Sequence, residues 1–123
     1  MQMDISIQDS DHMEARFDGL TVTTAQDGSA PAPFDLFLAS IGTCGAFYVA
    51  KFCKQRNIPT GGIKIREKIH RDPGSRMVTR IDLELDLPDN FPEHYRQAVM
   101  RAAGLRSVKK HLAMPPAIDV HLA

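Results

Sequence analysis

Read from its N-terminus, the chain alternates apolar and polar positions through Met3-Asp4-Ile5-Ser6-Ile7-Gln8, the period of a half-buried strand. Ser10 and Asp11 supply turn chemistry, and a second strand is expected over residues 13–17. Asp18-Gly19 before the β-branched run Leu20-Thr21-Val22-Thr23-Thr24 is a hairpin signal. Residues 27–33 hold Gly28, Ser29, Pro31 and Pro33 and read as a loop. From Phe34 to about Asn57 no proline interrupts the chain. Asp35 suits a first helical turn and Lys51, Lys54 and Arg56 suit the last ones. The pattern predicts a helix of more than about 30 Å, ended by Ile58-Pro59-Thr60-Gly61-Gly62.

The first two-thirds of that helix is apolar on nearly every side, so it is expected to be buried and not amphipathic. Glycines there cost helix propensity, and close approach of another backbone would explain them. Beyond it, Ile63-Lys64-Ile65-Arg66-Glu67-Lys68-Ile69 alternates, Asp72-Pro73-Gly74-Ser75 turns, and residues 77–87 return as the clearest alternating strand. Basic outer residues then face acidic ones, which favours antiparallel pairing. A helix is expected from Pro92-Glu93 to about Ala103, then a basic turn over residues 106–111, and a last strand over residues 117–122. The order βββ-α-ββ-α-(α)-β is an α+β fold, read as one domain over residues 1–123. Few short strands cannot cover a helix that is apolar all round. A homodimer in which two such helices pack together is the economical solution.

Composition narrows the function. Lys plus Arg equals Asp plus Glu at 15 each, Trp is absent and Tyr numbers 2. Nucleic acid is therefore not the expected partner, for want of a positive field and stacking platforms. Charge is uneven, with a net of −5 over residues 1–27 and +7 over residues 51–80. That contrast reads as solvated faces of opposite sign or as an acidic element docking on a basic one. No signal peptide is visible and no apolar run approaches the roughly 20 residues of a membrane span. A cytoplasmic protein without a membrane partner is expected, with its two cysteines as free thiols.

Cys44 and Cys53 are nine positions apart on the predicted helix, on opposite faces and roughly 13 Å apart along its axis. A disulfide needs Cα atoms within about 7 Å, so the two cannot bridge within an intact helix. Cys53, in the charged tail, reads as inert. Cys44 would be a packing cysteine unless a cation stabilises its thiolate; Arg16 and Arg106 are the candidates. His12, His70, His94, His111 and His121 have no ligand spacing and no CxxC occurs, so no metal is expected; no GxGxxG or phosphate loop occurs either, and no cofactor is expected.

Pro33-Phe34-Asp35-Leu36-Phe37-Leu38-Ala39-Ser40-Ile41-Gly42-Thr43-Cys44 resembles the helix-opening motif of the OsmC/Ohr family, osmotically inducible and organic hydroperoxide resistance proteins. Ser107-Val108-Lys109-Lys110-His111-Leu112 with Pro115-Pro116-Ala117-Ile118-Asp119-Val120 resembles the second motif and the terminal strand. The resemblance implies an intertwined homodimer whose long central helices pack on antiparallel sheets, with active sites at the subunit interface. It also implies a thiol peroxidase acting on organic hydroperoxides, with Cys44 at the peroxidatic position and Arg16 matching the N-terminal arginine of the site. The sequence departs from the family at two points. Arg106 stands where the resolving cysteine belongs, so an external thiol is expected as resolver. Asp35 is one carbon shorter than the family's acid, beside Phe34. The alternatives are a non-catalytic protein binding a small apolar or thiol-containing ligand at the dimer interface, and an interaction protein using the basic 51–80 surface.

Overall fold

The structure, a computed structural model, describes residues 1–104 and 107–123, the side chain of Ser107 excepted. The chain forms two compact units, Met1–Ala39 and Ser40–Ala123. Both are built from antiparallel strands and one long helix contributes to each, a mixed α+β architecture.

The first unit is a meander of β1 (Asp4–Ile7), β2 (His12–Phe17) and β3 (Leu20–Ala25) in that order. Phe17 pairs with Leu20 around the two-residue turn Asp18-Gly19, whose φ angles of 50° and 77° are both left-handed. That turn matches the strands' twist and requires residues that tolerate positive φ, as Asp and Gly do. At the other end of the sheet His12 ties two turns together. Its Nδ1 lies 2.8 Å from Asp9 Oδ1, and its Nε2 lies 3.0 Å from Ser29 Oγ and 3.1 Å from Asp27 Oδ2. The hydrogen bond to Asp9 is the main reason the imidazole titrates above its usual 6.5. Asp27 is held below the usual carboxylate range chiefly by the Ser29 hydroxyl and N–H.

Helix α1 (Pro33–Gln55) opens on the expected proline, with Asp35 in its first turn and Lys54 in its last. It stops where Asn57 takes a φ of 55° and Ile58 N–H donates to the Cys53 carbonyl at 2.9 Å, a left-handed C-terminal cap. Among the described helices, α1 alone has the length and mean hydropathy (1.5) to cross a bilayer. This differs from the expectation of no span-length apolar segment. Ser40, Gly42, Thr43 and Gly45 interrupt the run yet leave the helix apolar on average, as core helices of soluble proteins also are.

In the second unit, β4 (Lys64–Arg71) and β5 (Val78–Asp86) form a hairpin in the expected register. Arg66 pairs with Glu84, Lys68 Nζ reaches Glu84 Oε2 at 2.8 Å, and His70 Nε2 reaches Asp82 Oδ2 at 3.0 Å. Arg66 and Lys68, two of the nine basic residues in 51–80, are thus met across the hairpin. A short 3-10 turn (Glu93–Tyr95), α2 (Arg96–Ala103) and α3 (Ser107–Ala113) follow. The core gathers Val49, Phe52 and Cys53 of α1 with Phe91, Val99 and Ala103, and Ile65 and Leu85 of the hairpin pack against it.

Three expectations change. The basic turn over residues 106–111 is helical from Ser107 onward, as α3. The last strand does not form: residues 115–123 have no regular structure, and Ile118, Val120 and Leu122 are 87%, 93% and 96% exposed. A strand needs an edge to pair with, and among the described residues this segment pairs with neither sheet. Finally, α1 is not buried on all sides within one chain. Thr43, Ala46 and Ala50 are exposed and Phe47 is 78% exposed. One hairpin and one short helix cover only the sides of α1 that carry Gly42, Gly45 and Val49.

Candidate functional site around Cys44

Cys44 sits midway along α1, half-buried and free. With Ile41 it forms one wall of a cavity of about 350 Å³. Ile81 and Leu83 of β5, Ala103 and Gly104 at the end of α2, and Val108, Lys109 and Leu112 of α3 complete it. The alternation of β5 turns Ile81 and Leu83 to one face, while the helical spacing of positions 108, 109 and 112 brings those three to one side of α3. The result is an apolar chamber with a thiol in its wall. Lys109 carries the one charge among the described lining residues. A cavity of this size falls at the small end of ligand sites.

Beside the chamber, α1 and its neighbours approach closely. A Cβ on Gly45 would lie 2.8 Å from the Ala103 carbonyl oxygen and 3.4 Å from Leu83 Cδ1. Here a neighbouring backbone does explain a helical glycine. Gly42 is explained differently, since an added Cβ would overlap Glu67 Oε1, a side-chain atom.

Glu67 was not among the residues singled out from the sequence. Its position on β4 has the same parity as Ile65 and Ile69, and it pairs across the hairpin with Leu83, so its carboxyl is the one acid on an aliphatic face. Burial raises its pKa, opposed by a hydrogen bond with the Gly42 N–H. Among the described residues it has no ion pair. The signal was in the sequence: Glu67 interrupts the run Ile63, Ile65, Ile69 at an apolar phase.

The other expected site residues are placed as follows. Arg16 lies on β2 in the first unit, 63% exposed, with Nη2 donating to Glu14 Oε2 at 2.7 Å. Asp35 is exposed in the first turn of α1, also in the first unit. Arg106 lies outside the described residues. Cys53 is fully buried, and burial pushes its thiol pKa up despite the nearby Arg56 cation. A thiol so placed stays protonated and unreactive. Among the described residues no group of His, Cys, Asp and Glu could hold a metal ion.

A family model described as OsmC-like protein matches residues 26–121. A crystal structure from Psychrobacter arcticus is 14% identical with a TM-score of 0.75, covering 89% of this chain and 86% of that one. That protein is named for its induction by osmotic stress and for a detoxification response. A second solved structure, a structural genomics target, is 21% identical with a TM-score of 0.72, covering 94% of this chain and 91% of that one. At these identities the likeness establishes the fold. No curated protein sequence matches the chain significantly.

Proposed function

Because the chain belongs to the OsmC-like family, we propose that it is a thiol-dependent peroxidase reducing organic hydroperoxides through Cys44. The observation that supports this reading is the setting of Cys44, half-buried in the wall of an apolar cavity of about 350 Å³. An alkyl group would leave water for that lining, at roughly 0.8 kcal/mol per buried CH₂, while the peroxide group reaches the sulfur.

In the proposed cycle the Cys44 thiolate attacks the outer oxygen of RO–OH. An S–O bond forms, the O–O bond breaks, and the departing alkoxide takes a proton from water to leave as ROH. Cys44 is left as a sulfenic acid. Arg106 occupies the resolving position of the second motif, so an external thiol attacks the oxidised sulfur, releasing water and forming a mixed disulfide. A second thiol then frees Cys44 and departs with the first as a disulfide. The cycle needs no metal or cofactor. Arg16 and Arg106 are the proposed cations that stabilise the thiolate and orient the peroxide, and Asp35 is the proposed acid of the site. These roles rest on the motifs.

The assembly proposed is a homodimer. The exposed face of α1 around Phe47, and the alternating Ile118, Val120 and Leu122, are apolar surfaces that a second copy would cover. Nucleic acid and membrane have no place in this reading, and the cytoplasm, where small thiols abound, is the compartment proposed.

Consumption of cumene hydroperoxide with dithiothreitol as reductant tests the function. Wild-type and Cys53→Ser protein should turn over, and Cys44→Ser should not. Activity that survives in Cys44→Ser would overturn the mechanism. No turnover with any thiol, together with stabilisation by an apolar ligand, would establish the non-catalytic binding protein instead.

A further inference from the structure

A second concavity, of about 250 Å³, lies where α1 ends, and its lining includes Arg56, Asn57, Pro88, Asn90, Phe91 and Tyr95. The Arg56 guanidinium sits over aromatic rings, its Cζ 3.6 Å from the centroid of Phe52 and 5.3 Å from that of Tyr95. Those rings meet edge to face at 5.6 Å and 85°, a favoured geometry that fixes both. Arg56 Nη1 also donates to the Phe52 carbonyl at 3.1 Å. Stacking and a hydrogen bond together hold in one orientation a group that ordinarily samples many.

Capping the helix end accounts for only part of this. The Cys53 carbonyl accepts from the Arg56 and Ile58 N–H groups at 3.1 and 2.9 Å, and the Lys54 carbonyl accepts from Asn57 at 3.3 Å. The Arg56 side chain adds one donor to that cap out of the five a guanidinium carries. No acidic side chain lines the concavity, and among the described residues Arg56 forms no ion pair. An oriented, unneutralised guanidinium with two amide side chains beside it is a receptor for one negative charge. The fork geometry favours a carboxylate. Apart from Gly61, the rest of the wall is apolar (prolines, Ile58 and the rings of Phe91 and Tyr95), which suits a flat apolar body. At about 30 Å³ for a water-sized group, the space takes about eight non-hydrogen atoms.

We propose that this concavity binds a small planar monocarboxylate, held bidentately by Arg56 with its apolar body against Phe91 and Tyr95. The site is separate from Cys44 and does not depend on the peroxidase reading.

Isothermal titration of the full-length protein with sodium benzoate tests it, with benzamide as the uncharged isostere and inorganic phosphate as a competing anion. Benzoate should bind saturably to wild-type and Cys44→Ser protein, and about tenfold or more tightly than benzamide or phosphate. Arg56→Gln should lose that binding. Arg56→Lys keeps the charge without the fork and should weaken it by about tenfold; thermal unfolding verifies that each variant is folded. In amide NMR spectra benzoate should shift Asn57 and Asn90 and leave Cys44 unmoved. No saturable benzoate binding, equal or tighter binding of benzamide or phosphate, or undiminished binding in folded Arg56→Gln would overturn the proposal.

Discussion

Cys44 and Cys53 share one helix, nine residues apart, yet live in different surroundings. Cys53 is sealed at 0% exposure among Val49, Phe52, Phe91 and Val99, with its thiol pushed toward the protonated form by burial. Cys44 lines a chamber that α1, β5, α2 and α3 leave unfilled. Near Cys53 the face of α1 that carries Val49, Phe52 and Cys53 is fully packed, while the stretch near Cys44 borders a cavity and exposes Phe47. The contrast shows that residue type and helical position do not decide what a cysteine does; the packing around it does.

The largest expected effect is chemical. An alkylating reagent should take Cys44 at least about a hundredfold faster than Cys53, because Cys53 reacts only when the core opens. Mass spectrometry after graded exposure to iodoacetamide measures both sites in one sample. Comparable rates would break the comparison outright. The converse appears in stability. Cys53→Ser puts a hydroxyl into the core and should cost about 2 kcal/mol, whereas Cys44→Ser should stay within about 1 kcal/mol. Urea unfolding of the two variants distinguishes these outcomes.

The two glycines flanking Cys44 offer the next step. Gly45→Ala gains about 1 kcal/mol of helix propensity but drives a methyl group to 2.8 Å from the Ala103 carbonyl oxygen, which is backbone and cannot swing aside. A net loss of about 2 kcal/mol is expected, with α2 displaced and the Cys44 chamber narrowed. Gly42→Ala meets only the end of the flexible Glu67 side chain, which can rotate away, so its loss should be about half as large. Thermal unfolding checks the ranking, and equal losses would mean that α2 does not brace the Cys44 half.

How far the sequence foretold this depends on which interactions are local. The β2–β3 turn, the β4–β5 register and the span of α1 follow from dipeptides, alternation and proline placement, all visible along one continuous stretch of chain. Cys44 stood out through the motif around it. The chamber did not, because its walls come from four separate elements that only tertiary packing brings together. Residues 117–122 show the opposite failure, since alternation announced a strand but a strand is made by its neighbour. Glu67 is legible as a polar residue at an inward phase, but it lies inside a run that otherwise alternates well.

Glu67 supplies the smallest and most discriminating prediction. Its carboxyl is half-buried on the aliphatic face of the hairpin, and burial raises its pKa above 4.5. A carboxyl whose folded pKa is raised binds its proton more tightly in the native state. Its contribution to stability is therefore fully present below the unfolded value near 4.5 and is lost as pH rises through the folded one. At neutral pH the ionised group weighs against folding, with no ion pair among the described residues to offset it. Glu67→Gln keeps the shape and removes the charge, so it should stabilise the protein by about 1 kcal/mol at pH 7. That gain should shrink as pH falls below 4.5, as wild-type Glu67 takes up its proton. Urea midpoints at pH 7 and near pH 4 measure it. Because Glu67 packs against Gly42 on the Cys44 half of α1, the gain should also slow local opening there. Amide exchange at residues 42–45 should then fall more than exchange around Cys53. An equal fall at both places would mean that the two halves of α1 open as one.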